Sequence, residues 1–368
     1  MNELTVNFNL ENNALAHLTS AVQFGFILGT LIFAILAITD RFSPSKVFFI
    51  CAILGALSNI GVISEENSLG SIIFLRFTTG FFLAGIYPVG MKIAADYYNK
   101  GLGKSLGFLV GALVLGTAFP HLAKDLTEAF PWKSVLIFIS TLALIGGLLI
   151  LTMIPDGPYR KPGSQVKTSS FFNVFRNRKF RSAAFGYFGH MWELYAFWAF
   201  VPLILKTYSI KHPETTFNIP LLSFTIIGIG GLACVLSGYL AQNYGIKQTA
   251  RLALILSCGC CLISPLVFTI DSEILFIGFL MFWGMVVIAD SPLFSTLVAQ
   301  NASAEMKGTA LTIVNCIGFS LTIISIQILN KLEGLMNPTY IYTTLALGPI
   351  LGLIALYEKK TVPNKELC

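Results

Sequence analysis

Long apolar runs recur along the whole chain, and their length restricts the fold more than any other feature. A helix of about 20 residues crosses the hydrocarbon core of a bilayer, where only helices and closed barrels satisfy all their backbone polar groups. The runs therefore predict an all-α integral membrane protein. Eleven segments are expected, at residues 18–39, 46–63, 69–94, 102–123, 132–154, 181–206, 217–242, 248–270, 274–299, 308–330 and 338–357.

The composition agrees with a membrane protein and excludes several other classes. Hydrophobic residues make up 55% of the chain and charged residues only 11%, whereas soluble domains are about a quarter charged. The 24 Lys and Arg lie between the apolar runs and form no basic helix, so nucleic acid is not an expected partner. The cysteines at 258–261 have no histidine or second cysteine pair beside them, so we expect no metal and no cofactor.

The Lys and Arg residues predict how the chain crosses the membrane. When alternate loops are assigned to alternate sides, 18 fall on one side and five on the other. Because positive residues concentrate in cytoplasmic loops, we expect a multi-pass protein of the cell inner (plasma) membrane with a cytoplasmic C-terminus. The longest connection, residues 155–180, is basic and divides a five-span N-terminal bundle (1–154) from a six-span C-terminal bundle (181–368).

Two loops at corresponding positions in the halves carry a family resemblance. GYLAQNYGIK (238–247) resembles the G-x-L-A-D-x-x-G-x-K/R loop of the major facilitator superfamily, with Gln242 in place of the family's Asp. The residues that match are Gly238, Leu240, Ala241, Gly245 and Lys247. LAITDRFSPSK (36–46) keeps Asp40 and Arg41 but lacks the glycines, and RFTTGFFLAGIYP (76–88) resembles the family's fourth helix.

This resemblance covers the chain from about residue 18 and implies two helical bundles with a central cavity that opens alternately to each side. It implies a secondary transporter driven by an ion gradient, not an enzyme. The family's first helix is not recognised. We expect a misplaced start codon or a truncated sequence, and the alternative is a natural eleven-helix protein.

His190 and Glu193 lie in the middle of GYFGHMWELYAFWAF (186–200), which the resemblance identifies as the family's seventh helix. Titratable side chains inside a membrane usually face a protein interior or a wet cavity and serve function. At 100° per residue the two side chains share one helix face, so they are predicted to couple proton movement. The alternative is that both only hydrogen-bond neighbouring helices.

Polar and aromatic residues on the helices that line the family's cavity are the predicted substrate contacts. Arg76 could instead reach outward to water, and Asp290 could pair with a cation of a neighbouring helix. The predicted substrate residues are Arg76, Tyr87, Trp192, Tyr195, Trp283 and Asp290. The predicted gate and loop residues, with Lys92 as a further charge, are Asp40, Arg41, Asp96, Gly238, Gly245 and Lys247.

Three functions stay open at the level of sequence. GHMWELYAFW resembles a stretch in bacterial superfamily members grouped with nitrate and cyanate carriers, which favours a small anion or organic acid carried with protons. An exporter of hydrophobic or cationic compounds would also use acidic and aromatic cavity residues, and a transport-incompetent sensor or scaffold is the third. The expected partners are a small-molecule substrate, protons and the lipid bilayer, and the protein is expected to be a monomer.

Overall fold

A computed structural model describes residues 14–126, 132–161 and 173–357, and these ranges are helical with no β-strand. The helices are α1 (Ala14–Ile35), α2 (Ile38–Arg41), α3 (Pro44–Gly61), α4 (Leu69–Leu83), α5 (Tyr87–Tyr97), α6 (Leu102–Leu126), α7 (Trp132–Met153), α8 (Arg178–Lys211), α9 (Ile219–Tyr244), α10 (Ile246–Val267), α11 (Glu273–Ala289), α12 (Ser291–Asn301), α13 (Lys307–Glu333) and α14 (Leu347–Leu356). Three short 3₁₀ helices cover Asn173–Arg176, Ala304–Met306 and Ile341–Ala346.

The described helices agree with the segments expected from hydropathy. Within those three ranges, nine helical segments are long and apolar enough to cross a membrane, and two shorter apolar helices occupy Ser20–Ile35 and Ile341–Leu356. Each of these eleven overlaps one predicted span, and the all-α membrane fold is confirmed. Residues 162–172 and 358–368 lie outside the described residues, so the middle of the linker and the Lys residues at 359, 360 and 365 contribute only to the sequence prediction of orientation.

The two halves meet through two pairs of closely packed helices. One pair is α6 with α9, where a Cβ on Gly107 would come within 2.6 Å of the Cys234 carbonyl oxygen. Gly111 faces Gly231 in the same way, so no side chain fits along this line of contact. The other pair is α1 with α13, where Phe26 packs against Phe319 with ring centroids 4.7 Å apart.

Two spans are broken at matching places, one in each half. α4 ends at Leu83 and α5 starts with Tyr87 and Pro88, whereas α11 ends at Ala289 and α12 starts with Ser291 and Pro292. Proline has no N–H and is tolerated at the first positions of a helix, where that group lacks an intrahelical partner. Each span therefore continues after its break as a new helix that begins with a proline at one of its first two positions. Asp290 lies in the second break.

Candidate functional site

The centre of the C-terminal half contains a buried contact between α8 and the break of α11–α12. His190 Nδ1 lies 2.8 Å from Asp290 Oδ1, and both side chains are 1% exposed. Apart from His190 and its own backbone amide, the described part of the chain offers the Asp290 oxygens no hydrogen-bond donor, and His190 Nε2 has no partner there. Buried polar groups are nearly always hydrogen-bonded, so this pair is open to further partners.

Side chains from four helices surround the pair. One turn before His190 on α8, the Tyr187 hydroxyl donates a hydrogen bond to Asn315 Oδ1 of α13 at 3.0 Å. From the other half, Tyr87 of α5 hydrogen-bonds Ser291, the residue after Asp290. The site therefore lies where the two halves meet.

An aromatic layer adjoins this group further along α8. Tyr195 packs against Trp198 and against Phe319 of α13, with ring centroids 5.1 Å apart in both cases. Phe319 in turn contacts Phe26 of α1. Tyr195 thus lies on the side of α8 that meets the other half of the chain.

Glu193 faces a different set of partners inside the C-terminal half. Its Oε1 accepts hydrogen bonds from Trp283 Nε1 at 2.8 Å and from Cys261 Sγ at 3.2 Å, and its Oε2 accepts one from Ser257 Oγ at 2.9 Å. Trp283 is therefore a hydrogen-bond donor to the Glu193 carboxylate. His190 and Glu193, expected to act together, have separate partners.

Two predicted substrate residues lie away from Asp290. Arg76 donates to Asn59 Oδ1 at 3.2 Å, and Asn59 Nδ2 donates to Ser140 Oγ at 3.0 Å, so the guanidinium joins α4 to α3 and α7 within the first half. Trp192 packs against Gly348 of α14, where a Cβ on the glycine would lie 2.6 Å from the Trp192 Cβ. The structure places neither side chain beside the His190–Asp290 pair.

The predicted gate residue Asp40 joins the two halves directly. Its Oδ1 accepts a hydrogen bond from the Gly308 amide at 2.9 Å, and its Oδ2 accepts bonds from the Thr309 amide and hydroxyl, each at 2.7 Å. These amides form the N-terminus of α13, where an anion is favoured by the free N–H groups and the helix dipole.

Lys92 extends this contact on the side of the first half. Its Nζ lies 3.8 Å from Asp40 Oδ1 and 2.5 Å from Asp96 Oδ1, and all three side chains are almost fully buried. Burial raises the pKa of Asp40 above its usual range, and Lys92 and the donors of Thr309 and Gly308 oppose this shift. Arg41 is exposed and donates to the Leu36 carbonyl instead, so it lies outside this cluster.

The corresponding loop of the second half packs against α6. Gly238 lies against Gly103 and Lys104, and a Cβ there would be 2.8 Å from the Gly103 carbonyl oxygen. Gly245 has φ of 87° and ψ of 142°, which favour glycine, and it separates α9 from α10 at Ile246. Lys247 follows as the second residue of α10, half-buried.

Several residues of the site carry little signal in the sequence. Tyr187 could have been found from its spacing, since it lies one helical turn before His190. Asn315 is a polar residue in an apolar run and is equally typical of contacts between helices. Ser257, Cys261 and Ser291 are small residues that resemble packing positions until their partners are known.

The sequence matches a known protein family over most of its length. The family model described as Major Facilitator Superfamily matches residues 1–326. The chain belongs to this superfamily. Together with the apolar helices described above, this membership makes the chain a multi-pass membrane protein of a transporter superfamily.

Curated relatives match over part of their length. A bicyclomycin resistance protein homolog from Haemophilus influenzae is 25% identical over 160 residues, 42% of this chain and 38% of the relative. An uncharacterized transporter from Buchnera aphidicola is 32% identical over 94 residues, which are 25% of this chain and 23% of the relative. The matches thus span well under half of either relative.

Solved transporter structures share the fold at low sequence identity. The human organic anion transporter MFSD10 (TETRAN) has a TM-score of 0.73 at 16% identity and covers 97% of this chain and 88% of its own. The proton:xylose symporter XylE has a TM-score of 0.74 at 14% identity, covering 96% and 88%. The E. coli fucose:proton symporter FucP has a TM-score of 0.69 at 14% identity, covering 96% and 93%.

Proposed function

We propose that the protein is a proton-coupled secondary transporter of a small solute and that the His190–Asp290 pair is its proton site. The observation that carries the proposal is the 2.8 Å contact between two fully buried titratable side chains at the break of a membrane span. Such groups inside a membrane mark ion or proton pathways more often than packing.

The position of the pair supports coupling to a change between inward- and outward-open states. Asp290 sits between two separate helical pieces, and Ser291 beside it contacts Tyr87 of the other half. Gain or loss of one proton changes the net charge of this buried site by one and so alters the attraction between α8 and α12. That change would reach the other half through the Tyr87 contact.

Glu193 is the second candidate for proton exchange. Three donors satisfy its carboxylate, so loss of its charge would leave those donors with a weaker acceptor. We propose that Glu193 mainly holds α8 against α10 and α11, while Asp290 exchanges the proton. Substitution of each carboxyl in turn separates the two roles.

The chain provides a matched control for this test. His212 and Asp271 form a second His–Asp contact, 3.6 Å between Nδ1 and Oδ1, in which the Asp271 side chain is 97% exposed. Asp290→Asn and Asp271→Asn therefore remove the same group from a buried and from an exposed site.

The experiment uses infrared difference spectra of the purified protein between acidic and neutral pH, followed by reconstitution into liposomes that contain a pH-sensitive dye. We expect the band of one buried protonated carboxyl to disappear in Asp290→Asn and to persist in Asp271→Asn and Glu193→Gln. A sugar, an organic acid or an organic amine added outside should change the internal pH only when Asp290 is present. A transport-incompetent sensor would show no solute-dependent pH change, and that result would contradict the proposal.

The sequence-based substrate hypotheses rest on different residues. The small-anion hypothesis requires a cation such as Arg76 at the site, and Arg76 hydrogen-bonds Asn59 instead. The name of one structural relative mentions organic anions, and that of one sequence relative mentions drug resistance. We therefore propose that a small solute is transported by alternating access of the two halves. The groups around Asp290 decide which charge this solute can carry.

A further inference from the structure

We infer that the site around Asp290 accepts an organic cation with N–H donors, that is, a protonated primary or secondary amine attached to an apolar body. The inference rests on the proposed transport function and names the substrate class for the same site. Four observations carry it, namely the charges, the unmet hydrogen bonds, a contrast with Glu193 and the aromatic surroundings.

The charges around Asp290 favour a cation. The titratable groups that the described contacts place around it are His190, Tyr187 and Glu193 of α8, Tyr87 of α5 and Cys234 of α9, whose Sγ donates to the Ile288 carbonyl oxygen at 3.6 Å. Among these, His190 is the one basic side chain. An anionic substrate would meet a carboxylate in a low-dielectric site, where repulsion between like charges is strong.

The basic residues that could have served an anion have other partners. Arg76 is bonded to Asn59 of α3, and Lys92 is paired with Asp96 and lies near Asp40. Withdrawing either side chain toward Asp290 would break a buried interaction. The site is therefore left with the Asp290 carboxylate and the His190 imidazole, with the Glu193 carboxyl as a further acidic neighbour.

The hydrogen-bond balance specifies donors. An ionised carboxylate has two oxygens and about four acceptor positions, and within the described part of the chain only His190 and the Asp290 backbone amide are placed to fill any of them. A buried carboxylate with too few donors loses much of the stabilisation that it has in water. A ligand with N–H groups supplies what is missing, whereas a carboxylate or a quaternary ammonium supplies no strong donor.

Glu193 provides an internal contrast to Asp290. Both carboxyls are buried in the same half, but Glu193 receives its donors from Trp283, Ser257 and Cys261 of the protein. The fold therefore completes one carboxylate site and leaves the other open. That difference points to an external donor for Asp290.

Aromatic rings adjoin the open carboxylate and fit an apolar body. The Tyr187 ring centroid lies 5.8 Å and the Phe294 centroid 6.4 Å from that of His190. Beyond them are Tyr195 and Phe319 at the contact between the halves. Aromatic faces attract organic cations as well as apolar surface, so the ammonium and its hydrocarbon would both find matching contacts.

The test uses four probes that share one ring system. They are 1-naphthylmethylamine, its N,N,N-trimethyl derivative, 1-naphthalenemethanol and 1-naphthoate, and binding is measured by calorimetry and by thermal shift of the full chain at two pH values. We expect the amine to bind at least about tenfold more tightly than the quaternary cation or the anion. We expect Arg76→Gln to bind the amine as the wild type does.

Two variants at the site make the outcome decisive. Asp290→Asn should lose amine binding, and Asp271→Asn should keep it. His190→Gln retains the carboxylate and removes the imidazole that occupies one of its oxygens, so its amine affinity should equal or exceed that of the wild type. The His190→Gln variant tests the inference even if Asp290→Asn does not fold.

Specific results would overturn the inference. Tighter binding of 1-naphthoate, loss of binding in Arg76→Gln, or amine binding that survives Asp290→Asn would each do so, as would a wild type that does not respond to the amine. Failure of proton coupling is a separate result, since amine uptake without a change of internal pH would refute the proposed proton site and leave the substrate class standing.

Discussion

The loops at 36–46 and 238–247 occupy matching places in the two halves, yet they hold the molecule together differently. In the first, Asp40 caps the N-terminus of α13 in the other half through three hydrogen bonds and lies beside Lys92. In the second, Gln242 stands at the position of Asp40 and is exposed. From the facing helix, Lys104 packs on this loop, with its Nζ 4.4 Å from the centroid of the Tyr239 ring.

This difference shows that the two loops share the packing of their helices more closely than they share the charges at the contact. Both loops lie at a closely packed pair of helices that joins the halves, α1 with α13 and α6 with α9. Only the first adds a buried carboxylate to that packing. Separation of the halves at this end is therefore expected to break a charged contact on one side and a weaker cation–π contact on the other.

The largest effect is expected for Asp40→Ala. The substitution removes three hydrogen bonds and leaves Lys92 with Asp96 as its remaining acidic partner, and breaking a buried charge pair typically costs about 3–5 kcal/mol. We expect a lower midpoint of thermal unfolding and a longer distance between spin labels at positions 41 and 303. Glu65→Gln removes an exposed carboxyl paired with Lys133 and serves as the control. An unchanged label distance would show that Asp40 does not hold the halves together.

Gly245→Ala should have the next largest effect. A residue with a side chain is strained at φ of 87° and ψ of 142°, and such strain costs about 1–3 kcal/mol. The matched control is Gly259→Ala in α10, where nothing lies within 4 Å of an added Cβ and alanine should stabilise the helix by about 0.5–1 kcal/mol. Unfolding midpoints that move in the same direction would contradict this expectation.

Lys104→Gln tests the contact that replaces the carboxylate in the second loop. We expect a loss of about 0.5–1 kcal/mol, because a partly exposed cation–π contact disappears. A double-mutant cycle with Tyr239→Leu isolates the interaction. Additive changes in the free energy of unfolding would show that the two side chains do not stabilise each other.

The smallest effect, and the only stabilising one at the loops, is expected for Gln242→Asp. This change restores the carboxylate near the start of α6, where an anion is favoured by about 0.3–1 kcal/mol at low salt. The gain should disappear at high ionic strength because position 242 is exposed. No gain at any salt concentration would indicate that the two loops differ in position as well as in charge.

The sequence predicted the membrane-spanning segments well, because crossing a bilayer imposes a length and a composition that are visible locally. It also predicted that Lys92 and Asp96 form a charged gate with Asp40 and Arg41; the first three lie together, and Arg41 lies outside their cluster. It could not supply the partner of Asp40, since Gly308 and Thr309 are 268 and 269 residues away and contribute backbone amides. Amides carry no signal in an amino-acid sequence.

Rotation of a helix about its axis explains the other differences. His190 and Glu193 are three residues apart and therefore differ by about 60° in direction, which is enough for one to reach α12 and the other α10 and α11. Arg76 was expected to face the cavity but faces Asn59. Helical periodicity groups residues on a face, but the neighbouring helices decide what that face contacts.

The carboxylate of Glu193 also has a consequence for biosynthesis. α8 is the least apolar of the nine long spans in the described ranges, and a charged residue near the centre of a span raises the cost of its insertion by about 2.5–3.5 kcal/mol. The three side chains that satisfy Glu193 belong to α10 and α11, which leave the ribosome after α8. The nascent chain therefore carries the Glu193 side chain without these donors until two later helices have been made, and the insertion of α8 is expected to cost more than that of the more apolar spans.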